Sequence, residues 1–244
     1  MKTEILTGKS VLITGATGGI GQAVALPLAH AGAHLTLSGR SSEKLEVLAA
    51  QIEEATGVRP KTALADLGRA SQVEKLVTEA AGETGLDIVI NAAGVGLIKA
   101  LENITPEEMT LTLAANLYGA MLLSQAAVKV MTPKKSGHIL HVVGVLGKVP
   151  MAQASVYCAS KYGLTGFLQA LRAEVSRRHN IKVTGLYLGG VDTPFYDNPA
   201  IEMKVQRDKM LSASDAAEAI LYALTQPAHL VLGELTLQPE SHQL

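Results

Sequence analysis

Thr14-Gly15-Ala16-Thr17-Gly18-Gly19-Ile20-Gly21 follows the short apolar run Val11-Leu12-Ile13 and leads into a helical pattern from about Gly19 to Ala31. Strand, glycine-rich turn and helix in that order form the opening unit of a dinucleotide-binding α/β sheet. Gly15 permits a tight turn, Gly19 lets the backbone approach a pyrophosphate, and Gly21 allows close helix packing. The helix N-terminus adds free N–H groups and a positive dipole end for phosphate. Gly15, Thr17, Gly19, Ile20 and Gly21 are therefore the first candidate cofactor contacts. Upstream, Gly8-Lys9-Ser10 imitates the end of a P-loop, but it precedes the strand and its leading glycine would fall at Thr3. Lys9 is read as solvated.

The alternation continues outward from that turn. Leu35-Thr36-Leu37, Thr62 to Ala65, Asp87 to Ile90, His138 to Val143, Ile181 to Tyr187 and Glu234 to Leu237 read as strands. Helices are expected over Ser42 to Ala55 (Ser42 a possible cap), Arg69 to Gly82, a long stretch from Thr105-Pro106, Ser155 to Arg178 with Ser155 as N-cap, and Ala213 to Leu224 capped by Ser212 or Ser214. Such βαβ repetition predicts one α/β domain over residues 1–244, a parallel sheet covered by helices on both faces. The least regular segment, residues 192–210, is a candidate substrate lid.

Bulk properties exclude several classes. A net charge of −1 and only six Tyr and two Phe give no electrostatic or stacking footprint for nucleic acid. No apolar run of about 18 residues suggests a membrane span, and the polar start, Met1 to Lys9, lacks the apolar core of a secretion signal. Cys158 is the only cysteine, so no internal disulfide forms and cytosol is the expectation. No metal is expected, since His138 and His141 fall on opposite faces of a strand. No Gly-x-Ser-x-Gly elbow suggests a hydrolase.

Tyr157 and Lys161, four apart on a helix, share a face. A cation there would lower the phenol's pKa and suit Tyr157 to proton transfer near neutral pH. At the end of the second strand, where an acidic residue would bind a ribose 2′-hydroxyl, the chain has Ser38-Gly39-Arg40-Ser41. Arg40 can pair with a 2′-phosphate and Ser38 or Ser41 can add a hydroxyl, so NADP(H) is favoured over NAD(H).

Together with Asn91-Ala92-Ala93-Gly94, Asn116 and Val191-Asp192-Thr193, these motifs resemble the short-chain dehydrogenases/reductases over nearly the whole chain. The resemblance implies a single Rossmann-type domain, a doubly wound sheet of about seven parallel strands, assembled as a homodimer or homotetramer. It implies that Asp66 and Leu67 border the adenine, that Asn91, Ala92 and Gly94 brace the sheet and pass the cofactor backbone, and that Val191 and Thr193 touch the carboxamide. Lys161 would contact the nicotinamide ribose, and Asn116 would hold a water relaying protons from it. Tyr157 would be the acid facing the substrate.

Two departures stand out. Thirteen residues before Tyr157, where the family has a substrate-binding serine, stands Gly144, and Leu188 replaces a usual proline. Losing one such donor costs on the order of 10²–10³ in rate, so activity is expected to be reduced. The pocket is expected from Val95, Leu97, Val145, Leu146, Val149, Met151, Tyr187, Phe195 and Tyr196, with Lys148 and Lys204 near its mouth. That apolar lining suits a ketone, aldehyde or acyl thioester, or the matching alcohol. The alternative is an NADP(H)-binding regulatory or structural protein with little turnover. Leu111, Leu113 and the run Leu117 to Leu123 are expected to divide between core and subunit interface.

Overall fold

The apolar runs at the centre of the sheet become strands because both of their faces are covered. In β1 (Ser10–Thr14), Val11 and Ile13 enter one core layer and Leu12 the other. The computed structural model describes residues 3–241; Met1 and Lys2 of the polar start and residues 242–244 lie outside them. After β1 come α1 (Gly19–His30), β2 (His34–Gly39), α2 (Ser42–Thr56), β3 (Lys61–Leu64), α3 (Ala70–Ala81) and β4 (Ile88–Asn91). The long helix follows as α4 (Pro106–Leu113), a π turn (Ala114–Tyr118) and α5 (Gly119–Met131). Then come β5 (Gly137–Val142), α6 (Ser155–His179), β6 (Ile181–Leu188), α7 (Ala213–Leu224) and β7 (Glu234–Leu237).

All seven strands are parallel, in the order β3-β2-β1-β4-β5-β6-β7. The chain leaves β1 toward β2 on one side and returns to β4 on the other, which opens a crevice at the carboxyl ends of β1 and β4. One core layer packs α1, α2 and α7 on the sheet, and the other packs α3, α5 and α6. This is a single Rossmann-type domain.

Local chemistry sets the helix ends. Thr105 and Glu108 form a capping box at α4, and Ser212 and Asp215 form one at α7. At α2 the cap is Ser41, not Ser42, its hydroxyl accepting from the Lys44 N–H at 3.3 Å. Ser155 is not a cap either: Ala154 holds that position with no side-chain bond, and Ser155 is the exposed first residue of α6. Lys9 is not simply solvated, because it pairs with Asp87 at 3.5 Å. The stretch Pro106–Met131 is long and apolar enough by composition to cross a membrane, contrary to the expectation that none would be. In the fold it packs against α3 and α6.

A buried polar chain ties the middle of the sheet together. Parallel register sets Asn91 beside Thr14 on one side and His141 on the other. The Asn91 carbonyl accepts from Thr14 Oγ1 at 2.8 Å and from the Ala93 N–H at 3.1 Å, while its amide meets His141 Nδ1 at 3.0 Å. That makes Nδ1 the acceptor, so Nε2 carries the proton and donates to Ser124 Oγ at 2.9 Å, which donates on to the Ala120 carbonyl. His138, on the opposite face, meets Thr184 Oγ1 at 2.8 Å. Both histidines are structural, as their placement on a strand suggests.

Burial holds both imidazoles at about 3, with the charges of Lys182 and Lys161 adding to the depression at His138 and His141 respectively. Between the unfolded value of about 6.5 and about 3, the unfolded chain takes up protons that the folded chain refuses. Stability is therefore full above about pH 6.5 and is lost as pH falls, by about 1.4 kcal/mol per histidine per pH unit. Urea midpoints should drop steadily from pH 6.5 to 4.5. In His138→Gln, which keeps a donor but does not titrate, about half of that histidine-driven slope should vanish.

Candidate active site

The crevice floor is the turn between β1 and α1. Gly15 has φ +69°, and a β-carbon on it would lie 2.6 Å from the Ala93 nitrogen, so this corner needs glycine to pass beneath the Asn91-to-Gly94 segment. Gly18 precedes α1 and supplies no side-chain cap, leaving the first N–H groups of the helix free to meet an anion. Gly21 packs on the turn itself, since a β-carbon there would strike the Gly15 carbonyl. At Gly19 a β-carbon would strike the Thr193 side chain, so this glycine admits Thr193 as well as any diphosphate.

Of the residues expected to meet the adenosine end, Arg40 is exposed at the end of β2 and forms no ion pair with any described residue. Ser41 spends its acceptor on capping α2, and Ser38 is 1% exposed, with its carbonyl accepting from Ala16. Asp66 is exposed, accepts from the Gly68 N–H at 3.0 Å and pairs with Arg69 at 3.6 Å. Leu67 is buried against Gly119, so its side chain belongs to the core, not to the crevice.

The catalytic candidates converge beside Gly94. Lys161 is buried and donates to the Val142 carbonyl at 3.3 Å. Asn116, in the π turn, accepts from the Val95 N–H at 2.8 Å and donates to the Val95 carbonyl at 2.9 Å and to Ser160 Oγ at 3.2 Å. Both donors of its amide are thus committed, and only an Oδ1 lone pair is spare for a relay water. A β-carbon on Gly94 would lie 3.1 Å from Oδ1 of Asn116 and 3.8 Å from Nζ of Lys161, so its lack of a side chain keeps both groups facing one space. Lys161 Nζ lies 5.6 Å from the centre of the Tyr157 ring.

The electrostatics of this pair reverse the expectation. Tyr157 is half-buried, and burial pushes the phenol well above its ordinary value, with Tyr196 and Cys158 adding. Burial also lowers Lys161 to about 8. Desolvation penalises both charged forms and outweighs the attraction a phenolate would feel for the ammonium.

Residues 192–210 lie across this end of the sheet. Ile98 N–H donates to Ala200 at 2.8 Å, Glu202 N–H donates to Ile98 at 2.7 Å, and the Asn198 amide donates to Gly96 at 3.2 Å. Arg207 binds Asp192 at 3.0 Å and also Asp197, a latch not anticipated from the sequence because its three charges are scattered along an irregular segment. Val191 and Thr193 are buried at its root. Leu146, Met151, Phe195 and Tyr196 gather with Tyr157, Ile98, Cys158 and Ile201 in a small apolar cluster. Tyr187 does not join them: it is core, 1% exposed, with Lys148 Nζ 3.9 Å from its ring centre. Lys148 in turn pairs with Glu234 at 2.8 Å, so it does not stand at the pocket mouth.

The sequence profile of the short chain dehydrogenases matches residues 9–202. The chain belongs to that family. It is 34% identical over 239 residues to the sepiapterin reductase of Chlorobaculum tepidum, covering 95% of this chain and 96% of that one. Among solved structures it resembles an alcohol dehydrogenase from the archaeon Thermococcus sibiricus complexed with 5-hydroxy-NADP, at 26% identity and a TM-score of 0.87 over 97% of this chain and 98% of that one. It also resembles an actinorhodin polyketide ketoreductase with NADPH, at 25% identity and a TM-score of 0.85 over 95% and 96% of the two chains. The family's oxidoreductase chemistry is the frame for the site.

Within this short-chain dehydrogenase, Gly144 is more than a missing hydroxyl. Its φ is +93° and its ψ 154°, a region essentially restricted to glycine. The conformation lets the N–H groups of both Val143 and Gly144 reach the Leu186 carbonyl, at 2.8 and 3.2 Å. Space is not the obstacle, since a β-carbon would meet only the Leu188 carbonyl, at 3.7 Å. Backbone strain is the obstacle, so restoring a serine should not simply restore a donor. Gly144→Ala and Gly144→Ser should each lose about 1–3 kcal/mol of stability by urea unfolding. Equal losses would assign the cost to the backbone; a serine variant as stable as the parent would mean that residues 143–146 rearrange.

Proposed function

We propose that this chain is an NADP(H)-dependent oxidoreductase acting on a ketone, aldehyde or acyl-thioester carbonyl, or on the matching alcohol. The observation that carries this reading is the convergence of Tyr157, Lys161 and Asn116 beside Gly94, at the crevice end that holds the uncapped start of α1. The residues present fit a nicotinamide dinucleotide phosphate. Bare backbone at Gly15 and Gly21 and the free N–H groups of α1 suit its diphosphate, and exposed Arg40 suits a 2′-phosphate. The NADP and NADPH held by the two solved relatives support the same choice.

When bound, the nicotinamide supplies or accepts hydride at the carbonyl carbon. Tyr157 faces the carbonyl oxygen and gives it a proton in the reductive direction. Burial favours that direction, since it keeps the phenol protonated at neutral pH. Lys161, held by the Val142 carbonyl, keeps a positive charge one helical turn away and is placed to bond ribose hydroxyls. Asn116 fixes the Val95 backbone through two hydrogen bonds and so positions the Gly94 loop. Residues 192–210 act as the lid that excludes water. Leu111, Leu113 and Tyr118, exposed on the long helix, support assembly as a homodimer or homotetramer.

Fluorescence titration should give tighter binding of NADPH than of NADH. Arg40→Ala should cost about 10–100-fold in NADPH affinity and little for NADH, the range for a hydrogen bond to a charged group; unchanged NADPH binding would sink the 2′-phosphate assignment. On a carbonyl panel with NADPH, Tyr157→Phe should abolish turnover. The kcat/KM for reduction should fall as pH rises through about 8, where Lys161 loses its charge. Tight NADPH binding with no turnover would favour a regulatory or structural role instead.

A further inference from the structure

Gly144 leaves the substrate oxygen with one protein donor, Tyr157, and the backbone there excludes the side chain that would supply another. Neighbouring hydroxyls are otherwise engaged or turned away. Ser160 donates to the Tyr157 carbonyl at 2.7 Å, Thr165 bonds the Gly147 and Lys161 carbonyls, and Ser155 is exposed at the start of α6. In the apolar cluster that encloses Tyr157, one other residue carries a hydroxyl, Tyr196.

Tyr196 is brought there by the short helical turn Pro194–Asp197 of the lid. Its ring stands edge-on to Phe195, with centres 5.2 Å apart and planes at 83°, and Phe195 lies 6.2 Å from the Tyr157 ring. The phenol end reaches Gly190, just beyond β6, where a β-carbon would lie 3.4 Å from the Tyr196 hydroxyl. A side chain at 190 would crowd that oxygen. Tyr196 is half-buried, and its hydroxyl is accessible and makes no hydrogen bond with any described residue, which leaves it free to donate to a bound molecule.

We propose that the Tyr196 hydroxyl donates a second hydrogen bond to the carbonyl oxygen of the substrate, in the role that Gly144 cannot fill. This rests on the oxidoreductase reading above and names a further catalytic residue within it. Tyr157 still transfers the proton; Tyr196 only donates a hydrogen bond, and no bond to its own hydrogen breaks. Burial raises the Tyr196 phenol above its ordinary value, against the opposing charge of Arg207, so it remains a donor throughout the neutral range. A hydrogen bond to an oxygen that gains negative charge is stronger in the transition state than in the ground state, so its loss should appear in kcat. Because this donor rides on the lid, the second bond is complete only with the lid down, which couples closure over the substrate to its activation.

Tyr196→Phe tests this directly, because it keeps the ring packed on Phe195 and removes the hydroxyl alone. Thermal melting should match the parent's, and NADPH affinity should be unchanged. With the best carbonyl substrate of the panel, kcat should fall by about 10²-fold with KM within about threefold. A kcat within twofold of the parent's, or a change confined to KM, would overturn the proposal while leaving the oxidoreductase reading intact. Absence of turnover in the parent, or turnover that survives Tyr157→Phe, would overturn that reading and this inference together.

Discussion

Asn91 is the point on which the site depends. It ends β4 at the reversal of strand order, and its side chain touches both neighbours, Thr14 of β1 and His141 of β5, as well as the N–H of Ala93. Those bonds lie in an interior where an unpaired amide would be costly, so each partner fixes the others. The consequence is a rigid loop from 91 to 95 laid against Gly15, with Asn116 gripping its far end at Val95. Asn116 and Lys161 both face that loop at Gly94.

The second constraint is a contest between charge and burial. On the surface, a lysine one turn from a tyrosine would favour the phenolate. Here Lys161 is buried and Tyr157 half-buried, between an apolar cluster and the sheet, and the neutral forms gain. A protonated phenol beside a lysine that keeps its charge up to about pH 8 is arranged to give a proton rather than take one. The turn Pro194–Asp197 carries Tyr196 into the same cluster.

Much of this was legible in the chain. Strand and helix positions follow from apolar periodicity, and errors are confined to ends: the α2 cap moves from Ser42 to Ser41, and Ser155 caps nothing. Ends depend on one or two hydrogen bonds, which side-chain alternation does not report. The π turn at 114–118 is not legible in the sequence because it does not break the helical pattern. Tyr187 was misplaced because adjacent strand residues face opposite layers, and only the register selects the layer.

By itself, then, the order of residues determined the alternation of strands and helices, the glycine turn and the placing of Tyr157 and Lys161 on one helix face, because each follows from a pattern within a few positions of the chain. Long-range packing decided the rest. The seating of Phe195 and Ile201 on Gly96 and of Thr193 on Gly19, the upward shift of the phenol, and the positive-φ backbone at Gly144 all arise where segments distant in sequence meet. Burial and backbone strain are properties of an enclosure, and an enclosure exists only once those segments meet.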